Sequence, residues 1–255
     1  MLDFTRPRLP GLLIVLTLLA GCASGPSQKL HHRVLEGEAS LSTQPQRLLL
    51  LPLSVEVKEM SASGLHEAVP TWTDEAKRHI NHALVDGPLR GKLEIIDLPE
   101  LSDDEKRMLD EHIALFDIVG GAAVGHTMIG PQTAAWKHKS DHFDYTIGPG
   151  LAFLRDKTGA DKALFLFGED VISSSGRKAV FIVAAAFSAR IPMGHSFLIG
   201  GLVDLESGDV LWLNYTASAS SRSFRNRADV DTALTELFKE HPALKPQTAA
   251  VENAQ

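Results

Sequence analysis

The chain has 255 residues, 44% of them hydrophobic, 22% charged and 6% aromatic, with a formal net charge of −7. That length accommodates one domain of roughly 150 to 200 residues with terminal extensions. An acidic balance with no basic cluster and few aromatic side chains excludes nucleic-acid binding through phosphate electrostatics or base stacking.

Cys22 is the single cysteine, so no intrachain disulfide can form. Arg6 and Arg8 make a positive start, and Gly11 to Ala20 make an apolar run of ten residues. Such a run is too short to span a hydrocarbon core of about 30 Å and is read as a signal segment. Its end, Leu19-Ala20-Gly21-Cys22, resembles the lipobox of bacterial lipoproteins. That resemblance implies cleavage between Gly21 and Cys22 and lipidation of Cys22, by diacylglyceryl transfer to sulfur and acylation, for example with palmitate, of the new amino terminus. Two or more acyl chains anchor a protein stably where one does so marginally. Ala23 and Ser24 follow with no aspartate after the cysteine, which by resemblance to enterobacterial lipoproteins implies the outer membrane. Removing residues 1–21 takes the net charge to −8, because Arg6 and Arg8 leave with Asp3.

Residues 22–46 are polar and turn-rich and are read as the lipidated terminus and a flexible tether. Residues 47–240 are read as a periplasmic domain, and 241–255 as a disordered tail. The domain opens with Arg47 to Val57, holding five leucines and Pro52, which predicts a buried strand with an irregularity at the proline. Residues 59–70 read as a loop. Trp72, Ala76, Ile80, Ala83 and Leu84 then recur at helical spacing, and Gly87-Pro88 closes that helix. A short strand follows over 92–98. Ser102 and Glu105 form a capping box for a second helix carrying Met108, Leu109, Ile113, Phe116 and Val119, whose signal degrades from Gly120. Gly150 to Gly159 reads as a short helix with Gly159 as its C-cap. Ala163 to Gly168 is the most strand-like run and is expected at the centre of a sheet. Ala179 to Ile191 is apolar and small, and periodicity alone leaves strand and short helix both open. Phe197 to Leu205 and Val210 to Ser218 flank Glu206-Ser207-Gly208-Asp209, a hairpin, and Val230, Leu234, Leu237 and Phe238 line a final helix. These elements predict an α/β fold: a single sheet with helices packed on it and a C-terminal antiparallel hairpin followed by a helix.

The run Thr146-Ile-Gly-Pro-Gly-Leu-Ala-Phe-Leu-Arg-Asp-Lys-Thr-Gly-Ala-Asp-Lys-Ala-Leu-Phe-Leu-Phe167, with the hairpin from Phe197 to Tyr215, resembles uncharacterised proteobacterial lipoproteins. It is similar in layout to periplasmic domains of the curli-secretion lipoprotein and TolB amino-terminal type, over roughly Arg47 to Phe238. The resemblance implies a fold and an envelope setting. The long alternating hairpins of a curli-type pore are missing at the continuously apolar Ala179 to Ile191.

Three constellations bear on chemistry. Glu75, His79 and His82 share a helix face without forming His-Glu-x-x-His. His138, Asp141, His142 and Asp144 cluster in a polar stretch and are the metal candidates. Gly194-His195-Ser196 lacks the second glycine of a nucleophile elbow, and Glu169 with Asp170 has no partner identifiable for acid–base work. Ala179 to Ile191, with Phe181, Ile182 and Phe187, is a candidate partner or membrane contact, bracketed by Arg177, Lys178 and Arg190.

The expectation is a lipid-anchored periplasmic lipoprotein without enzymatic activity or cofactor. It would assist envelope assembly or secretion through an envelope protein partner or self-association, with no nucleic acid involved. The alternatives are a metal-binding hydrolase using the 138–144 loop and a subunit of an outer-membrane secretion pore.

Overall fold

A computed structural model describes residues 46–86, 93–126, 143–219, 222–239 and 241. Strand β5 (Lys162–Ser173) lies at the centre of a mixed sheet of seven strands among the described residues. Its run Ala163 to Leu166 is buried throughout, as expected of a strand covered on both faces. Along one edge of β5 lie β1 (Gln46–Leu50) and then β2 (Ser54–Met60), both parallel to it. Between the pairs Leu50 with Leu164 and Ser54 with Phe167, the outer chain takes one residue more than β5 does. Pro52, which has no amide hydrogen to donate, sits in this bulge and points to solvent, so the irregularity expected at the proline is present.

Strand β3 (His66–Ala68) pairs antiparallel with β2, and β4 (Leu93–Ile96) pairs parallel with β1. On the other edge of β5, β6 (His195–Asp204) is antiparallel, and β7 (Val210–Ser218) pairs with β6 as the expected hairpin. The stretch 59–70, read as a loop, holds the end of β2 and all of β3. Every residue of β3 is exposed, so no apolar alternation marks it.

Helices cover both faces. On one, α1 (Pro70–Asp86) and α5 (Arg227–Phe238) pack over the sheet, and Ile80, Leu84, Leu234 and Leu237 meet Val57, Leu166, Leu202 and Trp212 in one buried cluster. On the other, α2 (Asp103–Val124) and α3 (Ala152–Thr158) bring Leu109, Phe116 and Leu154 against Leu49, Phe165, Ile199 and Leu213. The capping box of α2 is formed: Ser102 Oγ accepts from Glu105 N, and Ser102 N donates to Glu105 Oε2 at 2.8 Å. Helix α2 continues past Gly120 to Val124, beyond where its pattern fades, and Gly120 packs against the rings of Phe116 and Phe167.

Two further assignments are decided by the structure. Of the ambiguous apolar run, Ala179 to Ala186 lies in α4 (Ser175–Ala186), and 187–191 follow the helix as a turn and the start of the return. His241, placed at the start of the tail, is fully buried, with its ring centroid 4.8 Å from that of Trp212, so the packed body extends to it.

Candidate docking site

The excursion between β5 and β6 has a rigid base and an apolar tip. Strand pairing holds the base to its last residues, with Val171 opposite His195. Ser173 Oγ accepts from Gly194 N at 2.9 Å, joining the outgoing and returning chains. Arg177 is buried although charged, because backbone carbonyls replace its hydration: Nε and Nη2 donate to Pro192 O at 3.1 and 2.7 Å, and Nη1 donates to Ala62 O at 3.4 Å. That side chain therefore ties the start of α4 to the returning strand and to the turn between β2 and β3.

Helix α4 is closed at both ends by its own sequence. Ser174 caps the start, its hydroxyl accepting from Arg177 N at 3.1 Å. At the other end Ser188 adopts φ 58°, Ser188 N donates to Ala185 O, and Ala189 N donates to Ala184 O. These two bonds form a Schellman closure, with serine in the place glycine commonly takes.

Of the twelve residues of α4, Arg177 alone is buried. Val180 and Phe181 are about 40% exposed, Ile182 68%, Val183 59% and, just past the helix, Phe187 81%. Successive helix positions turn by 100°, so residues 180–183 place apolar side chains around the whole circumference. A helix apolar on every side is ordinarily buried in a core or a membrane. Here it stands outside both helical layers.

The candidate contact residues Phe181, Ile182 and Phe187 thus share one exposed element. Of the metal candidates, Asp144 is exposed, while His138, Asp141 and His142 lie outside the described residues, as do Gly21 and Cys22. Among the described residues no group of three or more histidine, cysteine or acidic side chains could hold a metal ion. The three α1 residues each engage the protein: Glu75 accepts from Arg225 Nε at 2.8 Å, His79 Nδ1 donates to Phe224 O at 3.2 Å, and His82 lies 3.5 Å from Asp86. Ser196 is buried in β6.

The acid pair on β5 points to opposite faces, as alternate strand residues must. Glu169 lies between Lys58 and His195, and its hydrogen bond raises the Lys58 pKa. Asp170 is buried and accepts from Ser223 Oγ at 2.9 Å and Phe224 N at 2.8 Å, which fixes the chain entering α5.

A second surface feature escaped the sequence reading because its residues come from distant segments. An open groove of about 640 Å³ is lined in part by Ser54, Asp117, Phe167 and Phe197. Ser54 Oγ donates to Asp117 Oδ2 at 2.6 Å, while buried Oδ1 has no hydrogen-bond partner among the described residues. Burial raises the Asp117 pKa above its ordinary value, against the opposing bond from Ser54. The folded chain therefore keeps this proton to higher pH than the unfolded chain, and the associated stability, full below the ordinary carboxylate value, is lost as pH rises through the folded one. Asp117→Asn should raise the thermal midpoint at neutral pH, with the gain vanishing below about pH 3.9, where the unfolded-state aspartate is also protonated. Midpoints compared across that range check this; a lower midpoint for the variant at neutral pH would contradict the cost assigned to the buried carboxylate.

No protein-family model matches the chain, and no curated protein matches it. Among solved structures, the LpoB C-terminal domain from Salmonella enterica aligns over 74% of this chain and 95% of that one, at 13% identity and a TM-score of 0.25. A likeness of that degree assigns this chain neither a family nor an activity.

Proposed function

We propose that this chain is a lipid-anchored envelope protein facing the periplasm from the outer membrane, and that it works by contact with other envelope components and not by catalysis. The observation that carries the reading is α4, an exposed apolar helix on a base pinned by Arg177 and the Ser173–Gly194 bond. Full burial of a side chain such as Ile182 or Phe187 is worth about 1.5 to 3 kcal/mol. The rest of the domain collects that stabilisation in two packed layers, and α4 leaves most of it available to whatever it meets. Lipidation at Cys22 accounts for the lone cysteine and the polar stretch after it, and sets the compartment in which α4 acts.

The test is photocrosslinking in cells with a probe at position 187 in the otherwise intact chain. Adducts should form at Phe187, weaken in Cys22→Ser as the lipid anchor is lost, and be absent at Glu206, an exposed residue in the turn after β6, at the other end of the sheet. Equal labelling at 187 and 206, or adducts indifferent to Cys22→Ser, would refute the reading.

A further inference from the structure

We propose that the apolar end of α4 inserts into one leaflet of an anionic bilayer, giving the chain a second membrane contact besides the lipid at Cys22. This rests on the reading of α4 as the contact element and names what it contacts. The first argument is coverage. A partner helix or a second copy of this chain laid alongside would cover one side of α4, yet Val180, Phe181, Ile182 and Val183 project in four directions spanning 300° at 100° per residue. Hydrocarbon solvates all of their exposed surface at once, most fully at Ile182 and Val183.

Length and charge agree with that occupant. The eight helical residues beyond Lys178 rise about 12 Å, within the half of a hydrocarbon core of about 30 Å that one leaflet supplies. Among the described residues no helix is long and apolar enough to cross a membrane. In a chain of net charge −7, residues 174–194 hold Arg177, Lys178 and Arg190 and no acidic residue. Lys178 lies in the first turn of α4 and Arg190 on the return, both exposed, while Val180 to Ala189 carries no charge. Cations below an apolar tip match anionic headgroups below hydrocarbon. Leu65, 66% exposed in the turn that Arg177 ties to the helix, adds an apolar side chain near the base.

The end of the helix is closed by internal hydrogen bonds. An amide or carbonyl immersed in hydrocarbon needs an internal partner. At the tip, the Ala184 and Ala185 carbonyls accept from the amides of Phe187, Ser188 and Ala189.

Reach permits both contacts in one leaflet. Strand β1 starts at Gln46, beside the start of β5, and α4 leaves from the end of β5. Twelve strand residues cover about 40 Å, and the 24 residues from Cys22 to Gln46 can extend about 80 Å.

The experiment uses residues 22–255 with Cys22→Ser, a chain that keeps every described residue and carries no lipid, mixed with vesicles of phosphatidylethanolamine and phosphatidylglycerol. It should float with these vesicles and bind those of phosphatidylcholine alone at least about fivefold less tightly. Ile182→Asp with Phe187→Asp should weaken binding by at least about tenfold, and Lys178→Glu with Arg190→Glu should abolish the preference for the anionic lipid. Unchanged thermal midpoints show that both variants fold. Absence of flotation, flotation indifferent to the aspartates, a dimer whose formation removes binding, or release of a trapped dye through a pore would each overturn the inference. If flotation fails while position 187 still crosslinks a protein in cells, the bilayer falls as the occupant and the contact reading stands. If position 187 also labels no better than 206, both fall.

Discussion

Trp212→Ala should destabilise the fold by about 3 to 5 kcal/mol, enough to remove a large share of the stability of an ordinary domain. Trp212 is 1% exposed on β7, beneath α5. Its ring stacks on Phe238 at 5.2 Å and meets the edge of His241 at 4.8 Å, so it joins the sheet, α5 and the buried His241. Truncation would leave a cavity bounded by a sheet and a helix that cannot collapse toward each other without breaking other contacts. The loss would be read in urea unfolding followed by circular dichroism, as a lower midpoint at unchanged slope. A cost under about 1 kcal/mol would mean that the α5 layer is not held through this ring.

Gly208→Ala should be the more damaging of two otherwise similar glycine replacements. Gly208 and Gly159 both have positive φ, 77° and 68°, and a side chain in that region costs about 1 to 2 kcal/mol by backbone sterics alone. Their surroundings differ. A Cβ at Gly159 would meet only Arg47 Nη1 at 3.8 Å, whereas one at Gly208 would collide with the backbone of Gly148. That approach is part of the structure: Ile147 N donates to Gly208 O at 2.9 Å, and Thr146 Oγ1 donates to the same oxygen at 3.1 Å. Displacing it adds overpacking of about 1 to 3 kcal/mol. Gly159→Ala is thus expected to cost about 1 to 2 kcal/mol and Gly208→Ala about 2 to 5 kcal/mol, compared by the same unfolding measurement. Equal losses would show that conformation, and not the contact with Gly148, sets the cost.

Elements whose signal is local were legible in the residues. The capping box at Ser102 and Glu105, the Gly159 cap, the hairpin around Gly208 and the apolar stripe of α1 each depend on spacing within a few residues, and each is present. The centrality of β5 followed from its continuous apolar run. Elements that exist through a distant partner were not legible. Strand β3 is three exposed residues made into a strand only by pairing with β2, and the Ser54–Asp117 groove joins side chains 63 positions apart. His241 gave no sign of burial because its neighbours Trp212 and Phe238 are assembled by the fold.

For the candidate site the division is sharper. Sequence alone determined that Ala179 to Ile191 is apolar and bracketed by cations, and that Cys22 follows a signal-like run, since composition and order are local properties. Whether that apolar run is core or surface is not local. It depends on which layers the sheet already has. With α1 and α5 on one face, α2 and α3 on the other, and Val171 paired to His195, residues 174–194 leave the sheet at its end, where neither layer extends over them. The tertiary structure thereby turned a run open between strand and helix, and between core and surface, into an exposed helix and its return, because burial is a property of what lies opposite a residue and not of the residue itself.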